Sequence, residues 1–265
     1  MALIQILKRH ALLTYFVLVY VLSWACWIPS AISQDTTHPF SLSLIGLGSI
    51  TPSLVGILLT ALFSGKSGLG ALFRRLGQVR APLIWYAVVL SLLPVLWLVA
   101  VGVPTLLGLA TITFAWSGFI AIRALPPGLT EELGWRGFAL PRLQASLPAF
   151  VASLLLGVLW GLWHLPLLIT FGLPLTAAGL VQFIFFVLMI TAWAVLFTWV
   201  YNNTRGSLFL MALFHSVPNI VMSTIVGNNG IGSVLYVILL WVAVTIVVVR
   251  AGAARLSRSS DLAPA

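Results

Sequence analysis

Residues 81 to 122 of the chain include no charged side chain. A run of that length cannot stay solvated, and a bilayer span takes only about 20 apolar residues. Further apolar stretches, at residues 11–34, 36–65, 143–204 and 206–249, fill most of the remaining sequence. Backbone polar groups in hydrocarbon must be satisfied within their own segment, so such runs fold as helices. Charged residues make up 6% of the chain, against about 25% in soluble domains. The fold expected is an all-α polytopic membrane helix bundle of about eight transmembrane helices.

The count follows from the breaks. Residues 81–122 are long enough for two spans, with Pro94, Gly102 and Pro104 as kinks or turns. Residues 143–204 hold two, split near Gly172-Leu173-Pro174, and 206–249 hold two, split at the turn signal Gly227-Asn228-Asn229-Gly230. Charge supports this arrangement. The thirteen Lys and Arg fall mostly in the breaks, so the net charge of +9 reads as an orientation signal and implies no nucleic-acid partner. Lys8 and Arg9, the connection with Lys66, Arg74, Arg75 and Arg80, then Arg142, Arg205 and the tail with Arg250, Arg255 and Arg258 are expected in the cytoplasm. The connection with Asp35 and the uncharged ones near Pro104, Gly172 and Gly227 then lie outside. Both termini are expected to be cytoplasmic. The run at 11–34 is too long for a signal peptide and reads as a retained first span. Residues 1–250 are expected to form one integral-membrane domain, multi-pass in the lipid bilayer (the plasma membrane in a bacterium). Residues 251–265 are expected to be a basic, disordered cytoplasmic tail. Cys26 is the single cysteine, so neither an internal disulfide nor a cysteine-based metal site can form.

The polar residues inside the apolar runs are few. The two glutamates of the chain are adjacent, Glu131 and Glu132, and a carboxylate near the bilayer interior costs a few kcal/mol. Arg136 follows Glu132 by four residues and can offset it on a helix. Glu131 is then the less committed carboxylate. Thr130 is the expected N-cap of this glutamate helix. The helix either continues a long, kinked fourth span or dips back from the cytoplasmic side after a span ending near Arg123. His164 and His215 lie inside apolar runs, each just before a proline, Pro166 and Pro218. Trp160 shares a helical face with His164, and Asn219 shares one with His215. Two kinked helices carrying histidines suggest a polar cavity between them. Gly157 and Gly161 form a small-xxx-small face for close helix packing.

The chemistry can be narrowed. H-E-x-x-H is absent, both aspartates lie outside the spans, and the sequence from Gly65 to Leu69 lacks the last glycine of a G-x-S-x-G elbow. A serine–histidine pair elsewhere remains open. A carboxylate with imidazoles suits amide hydrolysis: Glu deprotonates a water, His shares the proton, and an amide with a second imidazole stabilises the oxyanion.

Three ordered motifs resemble the CAAX prenyl protease and bacteriocin-processing (CPBP, or Abi) family of intramembrane proteases. Its E-E-x-x-x-R is matched by Glu131, Glu132 and Arg136. Its aromatic-x-x-x-His is matched by Trp160 and His164, with Trp where the family more often has Phe. Its H-x-x-x-N is matched by His215 and Asn219. The resemblance covers about residues 110–225. It implies an eight-span protease with a site opening to the cytoplasmic leaflet and a membrane-associated protein or peptide as substrate. It also implies roles: Glu131 as water-activating base helped by His164, His215 and Asn219 in the oxyanion pocket, and Glu132, Arg136 and Trp160 as support. Zinc or another divalent metal on Glu131, His164 and His215 and a metal-free glutamate mechanism both stay open. The competing readings are a non-catalytic scaffold or bacteriocin-immunity-type protein that keeps the motifs for folding, and a proton-coupled transporter. A transporter would spread polar residues along a pathway through several spans, whereas here they cluster in one half of the chain.

Overall fold

The structure, a computed structural model, describes residues 2–115, 127–227 and 230–257. It is an all-helical bundle with one small strand pair. In chain order the elements are α1 (Ala2–Arg9), α2 (Ala11–Ser33), α3 (Pro39–Leu76), α4 (Leu83–Leu106), β1 (Ile112–Phe114), α5 (Pro127–Thr130), α6 (Glu132–Gly134), a π-helical turn (Trp135–Ala139), α7 (Leu140–Gln144), α8 (Ala149–Trp163), α9 (Leu165–Thr170), α10 (Ala177–Asn203), α11 (Leu208–Thr224), β2 (Ile225–Gly227) and α12 (Gly230–Ala251). Among the described residues, α2, α3, α4, α8 with α9, α10 and α12 are long and apolar enough to cross a membrane. The shorter α11 is the apolar seventh. α3 breaks at Gly65, which takes φ +61, where the sequence ends its second span.

The described part of the run at 81–122 holds one long helix, α4, and residues 116–122 lie outside the described residues. The chain leaves α4 after Leu106, beyond Pro104 and at Gly108, and the β-branched residues Ile112 and Thr113 enter β1. β1 pairs antiparallel with β2, Ile112 opposite Gly227 and Phe114 opposite Ile225. The broken helix from Pro127 to Gln144 follows. Arg123, Asn228, Asn229, Arg258 and Asp261 lie outside the described residues.

Hydrogen bonds gather the basic connections at one end of the bundle. Lys8 Nζ donates to the Phe63 carbonyl near the Gly65 break. Arg75 Nε donates to the Gly206 carbonyl, Gln78 Nε2 to that of Thr204, and Ser207 Oγ to that of Gln78. Asn202 bonds Gln144 and the Arg255 carbonyl. The expectation of a disordered tail fails for its first part. The Ala149 and Phe150 amides donate to Ala254 and Ala253, and Leu256 is fully buried. The strand pair closes the opposite end, where the Ala115 amide also reaches the Thr224 carbonyl.

The small face of α8 packs as its sequence suggests. A Cβ on Gly157 would stand 2.6 Å from Thr191 Cα and one on Gly161 3.1 Å from Val187 Cα, both in α10. Hydrocarbon offers no hydrophobic drive between helices, so close backbone approach carries this pairing. Gly157→Val should lower the thermal midpoint of the purified protein, an overpacking loss of about 1–3 kcal/mol. An unchanged midpoint would show that α10 yields freely at Thr191.

Candidate active site

The glutamate segment is a helix that keeps changing its winding. The expected N-cap at Thr130 is not found: helical bonds run through it, with the Glu131 amide donating to Pro127 and that of Trp135 to Glu131. Glu131 itself sits at the junction of α5 and α6, with φ −117. The π turn follows, and the Leu140 amide donates to the Trp135 carbonyl five residues back. Such turns collect at functional sites. Arg75, from the basic end of α3, donates to the carbonyls of Arg136 and Gly137 within the π turn and also bonds the Tyr201 hydroxyl. Close approach fixes the segment sideways. A Cβ on Gly128 would stand 2.3 Å from the Ala212 carbonyl oxygen in α11, and one on Gly134 2.1 Å from that of Pro52 in α3.

This path sends the two glutamates to different partners. Glu132 is 1% exposed and uses one oxygen, Oε1, for two donors: Arg136 Nη1 at 2.9 Å and His215 Nδ1 at 2.8 Å. Arg136 is fully buried. Its guanidinium carbon lies 4.3 Å from the Trp160 ring centre and 4.5 Å from that of Phe197, so ring faces take the place of water around the cation. Glu131 is 5% exposed and accepts two indole N–H groups on Oε2, from Trp160 at 2.7 Å and Trp135 at 3.2 Å. Oε1 is the oxygen that neither indole occupies.

Glu131, His164, His215 and Asn219 all line one cavity of about 640 Å³, together with Trp160. His164 sits at the break between α8 and α9, where Pro166 interrupts the helix, and its Nδ1 lies 2.8 Å from the Trp160 carbonyl. A carbonyl only accepts, so Nδ1 carries the hydrogen and a neutral ring presents Nε2 as acceptor. The same logic makes His215 Nδ1 the donor to Glu132. The structure thus brings the four predicted residues to one cavity but ties His215 to Glu132, a link with no trace in local spacing. Trp135 and Phe197 went unnoticed in the sequence, and Arg75 figured there only as a topology signal. For Trp135 a signal existed: it stands one helical turn after Glu131.

The zinc set left open by the sequence is not assembled. Among the described residues no three His, Cys, Asp or Glu side chains stand together as a metal site. With Nδ1 engaged, each histidine presents Nε2 to the cavity, and Glu131 presents Oε1. As placed, these three side chains do not form a metal-ligand group.

The rim residues of the cavity, Leu42, Gly46, Ile50, Phe171 and Ser223, are exposed and lie near the ends of their helices remote from the basic connections.

Two predictions test this wiring. Trp160→Phe keeps a ring over Arg136 but removes the N–H to Glu131. The protein should fold, and peptidase activity should fall about 10-fold or more, the loss of one hydrogen bond to a charged group. Wild-type rates would make that bond irrelevant. Glu132→Gln should destabilise the fold by about 3–5 kcal/mol, because Arg136 is left as an uncompensated buried charge. Glu132→Gln combined with Arg136→Gln should lose less than the sum of the single losses, as read from thermal midpoints. Strict additivity would show that the pair is not coupled.

Comparison with known proteins finds relatives that overlap this part of the chain. Residues 113–221 match the model of the family described as Type II CAAX prenyl endopeptidase Rce1-like. A curated relative, the CAAX prenyl protease 2 of Methanococcus maripaludis, is 27% identical over 221 residues, 78% of this chain and 82% of the relative. The stretch bearing Glu131, Glu132, Arg136, Trp160, His164, His215 and Asn219 is thus similar to the Rce1-like CAAX prenyl endopeptidases, within the intramembrane protease group that its three motifs resemble.

Proposed function

We propose that this protein is an intramembrane endopeptidase that hydrolyses a peptide bond of a membrane-associated protein or peptide, with Glu131 as the base. The observation that carries the reading is the state of Glu131: at the floor of a cavity, held on one oxygen by two indole N–H groups, beside two histidines and an asparagine. A merely structural carboxylate in a membrane pairs with a cation. In this chain Glu132 takes that part, and Glu131 is oriented by neutral donors instead.

In this mechanism the indoles fix Oε2, and Oε1 takes a proton from water as the oxygen attacks the scissile carbonyl carbon. His164, with Nε2 as acceptor, shares the proton and passes it to the leaving amine as the C–N bond breaks. Asn219 donates its amide N–H₂ to the oxyanion. His215 can donate from Nε2 only when its ring is protonated, the form that makes an ion pair with Glu132. Glu132 then orients the ring and supports its charge.

Glu131→Gln keeps an oxygen for the indoles but removes the base. Its peptidase rate on membrane-anchored peptides should fall at least about 100-fold, the usual scale of general-base catalysis. Its thermal midpoint should stay near wild type. Cleavage by the variant at the wild-type rate would overturn Glu131 as the base.

A further inference from the structure

We infer that the pocket at the turn between α2 and α3 is a binding site for the headgroup of an aminophospholipid, with the ammonium on Asp35 and the phosphate beside His38. The site is separate from that of Glu131 and independent of the proteolytic reading. The pocket has a volume of about 250 Å³, and Ser30, Ser33, Asp35, His38 and Ser41 form its polar lining. Sites that enclose a whole small molecule run to about 300–1,000 Å³, so this one suits a terminal group. Asp35 divides its two oxygens. Oδ1 accepts from the Thr37 amide at 2.9 Å, the Thr37 hydroxyl at 2.8 Å and the His38 amide at 3.0 Å. Those bonds, the Thr37 amide first, hold the carboxyl below its ordinary range, so the turn carries an anion. Oδ2 is the oxygen that none of them occupies. Ser30 is a second, independent observation. It is 1% exposed, and its hydroxyl has no hydrogen-bond partner among the described residues. A buried hydroxyl left alone costs its full desolvation, so it points to a ligand that brings the partner.

The groups of the pocket define that ligand. An anion among serine hydroxyls calls for a cation that can donate. A primary ammonium has three N–H donors, which match Asp35 Oδ2 and the hydroxyls of Ser30 and Ser41. His38 supplies the opposite complement. Its Nδ1 accepts the Phe40 amide at 3.2 Å, so the neutral ring carries its hydrogen on Nε2. That N–H and the positive start of α3 favour an anion next to the ammonium. An ammonium joined by two carbons to a phosphate is the headgroup of phosphatidylethanolamine. Position selects a lipid over a soluble amine. The turn joins two helices long and apolar enough to cross a membrane, so the pocket sits where spans meet the headgroup layer. Pro29, Phe40 and Leu44 complete its lining. Leu22 and Leu47 stand two helical turns from Pro29 and Phe40 on the same faces, are 43% and 53% exposed, and continue the apolar surface on which the acyl chains lie. The first turns of α3 present Ser41 and Leu44 to this pocket and Leu42, Ile45 and Gly46 to the cavity of Glu131. A lipid held here therefore braces one wall of that cavity.

Lipid competition tests the site without any need for activity. The full chain, purified in detergent and stripped of lipid, would receive equimolar phosphatidylethanolamine, phosphatidylcholine and phosphatidylglycerol with identical acyl chains. Native mass spectrometry then counts the lipid retained. The choline lipid lacks the N–H donors, and the glycerol lipid lacks the cation. The ethanolamine lipid should be retained about 10-fold or more over each of them, the scale of one hydrogen bond to a charged group. It should also raise the thermal midpoint, as a ligand of the folded state does. Equal retention of the three lipids overturns the inference, and so does a preference for either of the other two. Asp35→Asn keeps Oδ1 for Thr37 and His38 but removes the charge. Its midpoint without lipid should match wild type, and the preference should vanish. Ser30→Ala removes only the unpartnered hydroxyl and should weaken the preference. A wild-type preference in either variant places the lipid elsewhere and overturns the assignment. Soluble glycerophosphoethanolamine, at the same concentration, separates the lipid from its headgroup and should leave the midpoint unchanged. A shift equal to that of the lipid shows that a free amine suffices and overturns the lipid source.

Discussion

A single carboxylate oxygen, Glu132 Oε1, holds the centre of this bundle together. It accepts from Arg136 one turn along the same segment and from His215 on a helix 83 residues away. Burying a guanidinium and a carboxylate together carries a desolvation loss of several kcal/mol per ion, which contact between the two only partly returns. The remainder is met by surroundings that exclude water and present ring faces, Trp160 from α8 and Phe197 from α10. The glutamate segment, α8, α10 and α11 are therefore placed by one charged pair, and the cavity lies between them.

Irregular backbone is the second condition of the site. A uniform α-helix from Pro127 to Gln144 would keep its amides and carbonyls paired internally, but it would not follow this path. The π turn changes which groups meet, and Arg75 satisfies two of its carbonyls from the basic end of α3. Non-helical winding at membrane depth is tolerated only where protein closes around it. The close contacts of Gly128 and Gly134 with neighbouring backbone provide that closure.

Much of this was legible in the chain itself. Hydropathy located six of the spans, because a long apolar run has one stable conformation in lipid. The Glu132–Arg136 pair followed from helical spacing, and the small face of α8 from Gly157 and Gly161. The His215–Glu132 bond was not legible, because it depends on how two separately stable helices pack. The strand pair escaped for a related reason: three residues of extended chain carry no periodic signal, and β1 needs β2 from a distant connection. The docked start of the tail, polar and short, reads as disorder until Asn202 and Asn203 are seen to hold its carbonyls. The open end of the cavity depends on where bulky side chains meet, which no single helix reports.

Trp160 has two tasks in one side chain, its ring on Arg136 and its N–H on Glu131. The paths by which this position can change are consequently narrow. Phenylalanine preserves the first task alone, and smaller polar residues forfeit it. Drift at residue 160 is therefore epistatic with both ends of the network. A chain that exchanges this tryptophan must find a new way to orient the base and a new cover for the buried cation in the same stretch of evolutionary time.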